Sequence, residues 1–201
     1  MNFDLMSPVV PARYARGILD AAVMRGLVRD TLLAQARIDQ SQLLGRHARV
    51  SIIQFSRLYG GIAAGLQDEA CGMHSRPTPP GAIETLCRAA LTTAPLGEYL
   101  PVAARGMNLM LGDLRAEYVP ATGGQLARLN FIETVTMTGD RQLAYELALL
   151  TIYGVMTWLF GRRVPLAALH LPFARPRHAV GLRLLLAPPP QFGASFACLE
   201  F

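Results

Sequence analysis

The sequence contains no lysine, so all 19 of its basic residues are arginine, set against 14 acidic ones. The arginines are scattered along the whole length, with pairs only at Arg162 and Arg163 and near Arg175 and Arg177. A nucleic-acid groove needs its cations on one face, so this distribution describes a solvated surface. Charged residues make up only 16% of the chain and hydrophobic ones 52%, which excludes a disordered protein and supplies enough apolar surface for a core. Cysteine is sparse and odd in number, at Cys71, Cys87 and Cys198. Without a C-x-x-C pair or a set of Cys and His at zinc spacing, these read as reduced thiols of a cytoplasmic protein with no metal site. The start, MNFDLMSPVV, has no basic cluster followed by an apolar run, so it is not a signal peptide. The sequence also lacks G-x-G-x-x-G, P-loop, G-x-S-x-G and H-E-x-x-H motifs and any close pair of carboxylates on a strand end. No cofactor is expected, and no enzyme.

One long apolar run is present, Leu143 to Phe160, with Glu146 as its single charge. It is near the lower length for crossing a bilayer, and a carboxylate one turn inside would cost a few kcal/mol there. The run therefore reads as the central helix of a soluble domain, without a membrane partner. Around it the periodicity divides the chain. From Pro11 to about Leu66 it is helical: Tyr14, Ile18, Leu19 and Ala22 share a face, a short helix follows at Leu32 and Leu33, Asp39 caps another, and Ser51 caps a run striped by Phe55, Leu58, Tyr59 and Ile62. After the proline-rich loop SRPTPPGA come helices over Ile83–Thr92 and Leu96–Leu111, separated by Pro95. Past Gly112 the period becomes two, predicting a hairpin with one strand from Leu114, Gly123 and Gly124 at its tip and a second strand over Leu126–Met137. Asp140 and Gly161 bound the long helix, LAALHLPF reads as a strand, Arg177–Leu186 as a last helix and the closing residues as a last strand. The expected architecture is α+β, a helical N-terminal part packed on an antiparallel sheet with flanking helices.

Histidines His47, His74, His170 and His178 stand far apart beside predicted loops or strand edges, where surface or capping roles are expected. Cys87 is expected to be a buried structural thiol, because Arg88 points about 100° away from it on the helix. What remains are polar and aromatic groups embedded in apolar runs: Tyr59, Arg105, Asn108, Arg128, Asn130 and Trp158, with Thr134, Thr136 and Tyr153 beside them. Apolar walls with a few polar groups are how a small-molecule pocket is built, and these six are the candidate ligand-binding residues. Arg105 stands out as a charge amid PVAARGMNLML that must reach solvent or a partner, with Asn108 nearly one turn on.

The order of certain motifs carries a resemblance. D-E-x-x-G falls on Asp68, Glu69 and Gly72; R-P-x-x-P-G on Arg76, Pro77, Pro80 and Gly81; L-C on Leu86 and Cys87; L-G-E on Leu96, Gly97 and Glu98; and a following arginine on Arg105. An F-G-A-x-F-N-x-L-x-F ending is matched by Phe192, Gly193, Ala194, Phe196, Leu199 and Phe201. Together they resemble the N-terminal effector domain of AraC-type transcription regulators, in the branch classified as arabinose-binding. The likeness runs from about Val9 to Phe201. Departures are Tyr99 after Glu98, Gly106-Met107-Asn108 where aromatics commonly follow the arginine, Ala197 in place of the terminal Asn, and VGLRLLLA without the usual Tyr and Phe.

This resemblance implies a flexible stretch 1–8 followed by a single effector-binding and dimerisation domain over 9–201, with two helix-turn-helix units lying outside the chain. It implies a cytoplasmic bacterial homodimer that binds a small, partly apolar effector and reaches DNA only through that other domain. Two rival readings stay open. One is a protein-interaction and dimerisation module with no small-molecule ligand. The other is DNA binding by the N-terminal helices themselves, although their second short helix lacks the Arg, Asn or Gln rows that read base edges.

Overall fold

Capping residues decide where the helices begin. In a computed structural model, which describes residues 9–45, 47–93, 95–137, 139–175 and 188–201, Ser51 accepts a hydrogen bond from the Gln54 amide while the Gln54 side-chain oxygen accepts one from the Ser51 amide. This reciprocal box opens a 15-residue helix. Asp39 and Gln42 form the same box at the start of a short 3-10 helix, Gln40–Leu43. Asp140 accepts from the Leu143 amide, and Gly161, at φ 62°, ends the long helix in the left-handed conformation.

The chain forms two compact units, Met1–Met73 and His74–Phe201. In the first, β1 (Val9–Pro11), α1 (Ala12–Met24), α2 (Arg29–Ala36), β2 (Arg49–Ser51) and α3 (Ile52–Leu66) follow in order. Tyr14, Ile18, Leu19 and Ala22 of α1 are buried as the helical period requires, and α3 packs on α1 and α2 through Leu58 and Ile62. Phe55 and Tyr59 of the expected stripe are only half-buried. The β1–β2 ribbon, antiparallel with Val10 opposite Val50, was not anticipated, because three residues are too short to display alternation. After α3 the chain reverses at Asp68, whose buried carboxylate accepts the amides of Ala70 and Gly72, each at 2.8 Å. The motif D-E-x-x-G is thus a turn, with Gly72 at φ 76°.

The second unit contains α4 (Ala82–Ala90), α5 (Leu96–Met110), β3 (Leu114–Val119), β4 (Arg128–Glu133), α6 (Arg141–Phe160), β5 (Ala168–Leu171), β6 (Gln191–Phe192) and β7 (Ala197–Glu200). The sheet order is β3-β4-β7-β5-β6, antiparallel throughout except for the β5–β6 pair, which is parallel. With its helices this is an α+β fold. The hairpin is in register from Leu114 opposite Glu133 to Val119 opposite Arg128, and Gly123 and Gly124 both have positive φ at its tip. Strand β4 stops at Glu133, short of the expected Met137. There the Glu133 carboxylate accepts from the Met137 amide at 3.1 Å and from Arg141 at 2.5 Å, which turns the chain toward α6. The helix expected over Arg177–Leu186 lies outside the described residues.

One face of the sheet carries the core. Leu114, Ala116, Leu129, Phe131, Leu169, Leu171, Ala197 and Leu199 cluster with Leu100 and Met107 of α5 and Tyr145, Leu149, Ile152 and Met156 of α6. Helix α6 is long and apolar enough to cross a membrane by composition, yet ten of its side chains are buried in the domain, which is how a core helix reads. Tyr99, a departure from the family pattern, is fully buried; its hydroxyl donates to the Ile152 carbonyl at 3.0 Å and its ring meets Phe160 edge-on at 6.1 Å. Cys87 is half-buried against this core, less enclosed than expected.

The proline-rich motif secures the end of α5, where carbonyls lack intrahelical partners. Thr78 donates to the Met110 carbonyl at 2.9 Å, and Arg76 reaches the carbonyls of Leu109 and Leu111 at 3.3 and 3.4 Å. The buried Asp113 carboxylate accepts the Ser75 amide at 2.8 Å and the Ser75 hydroxyl, and lies 3.4 Å from Nδ1 of His74. His74 is therefore a core residue, contrary to the surface role expected, buried with its imidazole beside the Asp113 carboxylate. At Gly112 a Cβ would come within 2.9 Å of Arg76 Cβ and 3.0 Å of the Arg76 amide nitrogen. Gly112→Ala is expected to destabilise the domain by about 1–3 kcal/mol. Gly154→Ala, in the middle of α6 with nothing within 4 Å of the new methyl, should instead stabilise it by roughly 0.5–1 kcal/mol. Urea denaturation of both variants checks the opposite signs.

Candidate functional site

The second face of the sheet is polar and partly enclosed. Because side chains alternate, placing Leu129, Phe131, Leu169, Ala197 and Leu199 in the core sends Arg128, Asn130, His170, Cys198 and Glu200 to the other side. The register then aligns them. Glu117 faces Asn130, Asn130 faces Cys198 and Cys198 faces His170, one row across four strands; Arg128 faces Glu200 in the next row. Directly opposed side chains on an antiparallel pair lie within about 5 Å of each other, so this row is a continuous surface.

Asn130 is only 7% exposed, and its Oδ1 has no hydrogen-bond partner among the described residues. Nε2 of half-buried His170 likewise has none, and stands 3.7 Å from Glu200 Oε1. Between them Cys198 is buried, and burial, reinforced by Glu200 and opposed by Arg128, pushes its thiol up to about 12. A thiol held protonated beside an imidazole is the reverse of what a thiolate nucleophile needs. The row offers a hydrogen-bond acceptor, an imidazole nitrogen and a compact soft wall, with an arginine and a carboxylate alongside. Among the described residues no group of three His, Cys, Asp or Glu could hold a metal ion.

Of the six residues singled out in the sequence, Arg128 and Asn130 come together here, on one face of β4. Tyr59 belongs to the first unit, where its hydroxyl donates to the Glu69 carbonyl; burial, with Cys71, Glu69 and Asp68 nearby, raises the phenol well above the usual tyrosine range. Arg105 is exposed on α5 and reaches solvent. The Asn108 carboxamide accepts the Ala116 amide at 2.6 Å and donates to the Ala116 carbonyl at 2.9 Å, closing the free edge of β3. It also borders a cleft of about 450 Å³ shared with Arg76, Arg115 and Thr134. Trp158 is 58% exposed and lies on α6, in a separate groove. His170, Cys198 and Glu200 escaped the sequence reading. Their signal was the alternation in ALHL and ACLE, which fixes a face only once the neighbouring strands are known. His47 is exposed as expected, whereas His178 lies outside the described residues.

A family model described as the N-terminal arabinose-binding domain of AraC transcription regulators matches residues 26–201. The chain belongs to this family. No curated protein matches it. Membership makes this AraC-type domain a ligand-binding regulatory domain, and the family is one of regulator domains rather than enzymes. The match covers all of β3 to β7, and so every residue of the polar row.

Thiol reactivity checks the geometry of the row. At pH 8, Cys198 and Cys71, both buried and pushed up to about 12, should alkylate at least roughly tenfold more slowly than half-buried Cys87. Peptide mass spectrometry after timed iodoacetamide treatment gives the order. Equal rates at Cys87 and Cys198 would mean that the row is open to solvent.

Proposed function

We propose that this AraC-type domain senses a small, partly apolar effector held against the polar face of its sheet, with Arg128 and Asn130 joined by His170, Cys198 and Glu200. The observation that carries the reading is the pair of buried polar atoms, Asn130 Oδ1 and His170 Nε2, that have no hydrogen-bond partner among the described residues and project from one row, His170 lying 3.7 Å from Glu200. Leaving a buried polar atom unsatisfied costs about 1–3 kcal/mol, a penalty that a ligand carrying a donor at the right place relieves. Apolar neighbours such as Ile132 and Val119 on the same face suit a ligand with a non-polar body. Tyr59 and Asn108, whose polar atoms are committed to backbone groups, serve the scaffold in this reading.

The output is a population shift: effector binding favours one arrangement of the domain, and a linked surface passes that preference to a DNA-binding module outside these residues. The working unit is a cytoplasmic homodimer. Thermal shift against a panel of amino acids, fatty acids and aromatic acids tests the sensing step. A ligand at about 100 times its Kd should stabilise the domain by about 2.7 kcal/mol, which raises Tm by roughly 5–10 °C for a chain of this size. Asn130→Leu should abolish that rise while leaving the ligand-free Tm unchanged or higher, since an unsatisfied carboxamide oxygen is replaced by apolar surface. Stabilisation by no member of the panel would sink the sensing reading and favour an interaction module, which light scattering after size exclusion would then report as a dimer alone.

A further inference from the structure

Helix α6 carries a second concavity that neither the sheet row nor the family match accounts for. Leu150, Tyr153, Gly154 and Trp158 recur at helical spacing on one face and border a groove of about 600 Å³, within the range of small-molecule sites. The wall is fixed, because the Tyr153 hydroxyl donates to the Val164 carbonyl at 2.9 Å. The floor is low at Gly154, where a Cβ would meet no atom within 4 Å. Trp158 leaves 58% of its surface exposed over this groove. Thr157 Oγ1 is buried beside it without a hydrogen-bond partner among the described residues. At the end of the groove stand Arg162 and Arg163, both exposed and neither in an ion pair with any described residue, and among the described residues no acidic side chain lines the site.

We propose that this groove binds a small monocarboxylate with an apolar body, its chain lying along Gly154 between Tyr153 and Trp158 and its carboxylate on Arg162 and Arg163. The chemistry follows from the lining. Apolar walls with two guanidiniums and no compensating acid among the described residues favour an anion over a cation, and guanidinium binds carboxylate through paired, charge-assisted hydrogen bonds. A neutral ligand of the same body would gain the apolar contact but leave both arginines unused. A bare anion would gain the reverse.

Trp158 is the single tryptophan of the chain, so its emission reports on the groove alone. Titration with octanoate should give a saturable change in that emission, with 1-octanol at least about tenfold weaker and acetate weaker still. The double variant Arg162→Gln/Arg163→Gln, altered only at exposed positions, should reduce octanoate to the affinity of octanol. Gly154→Leu, which places its side chain in the open space, should block both probes. Asn130→Leu should leave the titration unaltered, which separates this site from the sheet row. No saturable change with octanoate, equal affinity for octanoate and octanol in the unaltered domain, an unchanged response in the arginine variant, or loss of the response in Asn130→Leu would each overturn the proposal.

Discussion

The register of strand β7 governs the second unit. Its four residues are hydrogen-bonded to β4 on one side and β5 on the other, and they place Ala197 and Leu199 in the core and Cys198 and Glu200 on the opposite face. A slip by one residue would exchange the two sets, burying a carboxylate among Phe131 and Leu149 and exposing the strand's apolar pair. Hydrophobic burial therefore sets the register, and the register assembles the polar row. Asn130, Cys198 and His170 meet because their neighbours in sequence are leucine, phenylalanine and alanine that must face inward.

A second constraint acts at the end of α5, where Arg76, Thr78, Gly112 and Asp113 converge. The motif R-P-x-x-P-G, which reads as a family signature, serves here to satisfy the last carbonyls of a helix and to anchor the loop through a buried carboxylate. D-E-x-x-G is likewise a turn held by Asp68. These motifs record how the chain bends between elements, and the candidate binding groups lie elsewhere, on strands whose sequences carry no motif. Tyr99 makes the same point from the other side. A departure from the pattern proves to be a core residue that links α5 to α6 through Ile152 and Phe160.

Much of the fold was legible where physics acts locally. Ser51, Asp39 and Asp140 were readable as caps because N-capping depends on a side chain and an amide two or three residues away, and Gly161 because glycine takes the left-handed conformation that ends a helix. The hairpin was readable because period two and a pair of glycines suffice. The β1–β2 ribbon was not, since its partners are some forty residues apart and too short to alternate. His74 was misjudged for a related reason: Asp113, the acid it approaches, is distant in sequence.

The sequence by itself determined the α+β class and the caps that bound α3 and α6, because these rest on composition, periodicity or neighbours along the chain, and the order of its motifs carried the family resemblance. Only the tertiary structure decided that Tyr59 and Asn108 hold backbone in place, that Arg105 faces solvent, and that Asn130 shares a row with Cys198 and His170 while Trp158 belongs to another groove. Which side chains face each other across a sheet depends on strand order and register, and those follow from burying the apolar face of every strand at once, a condition that no single segment contains.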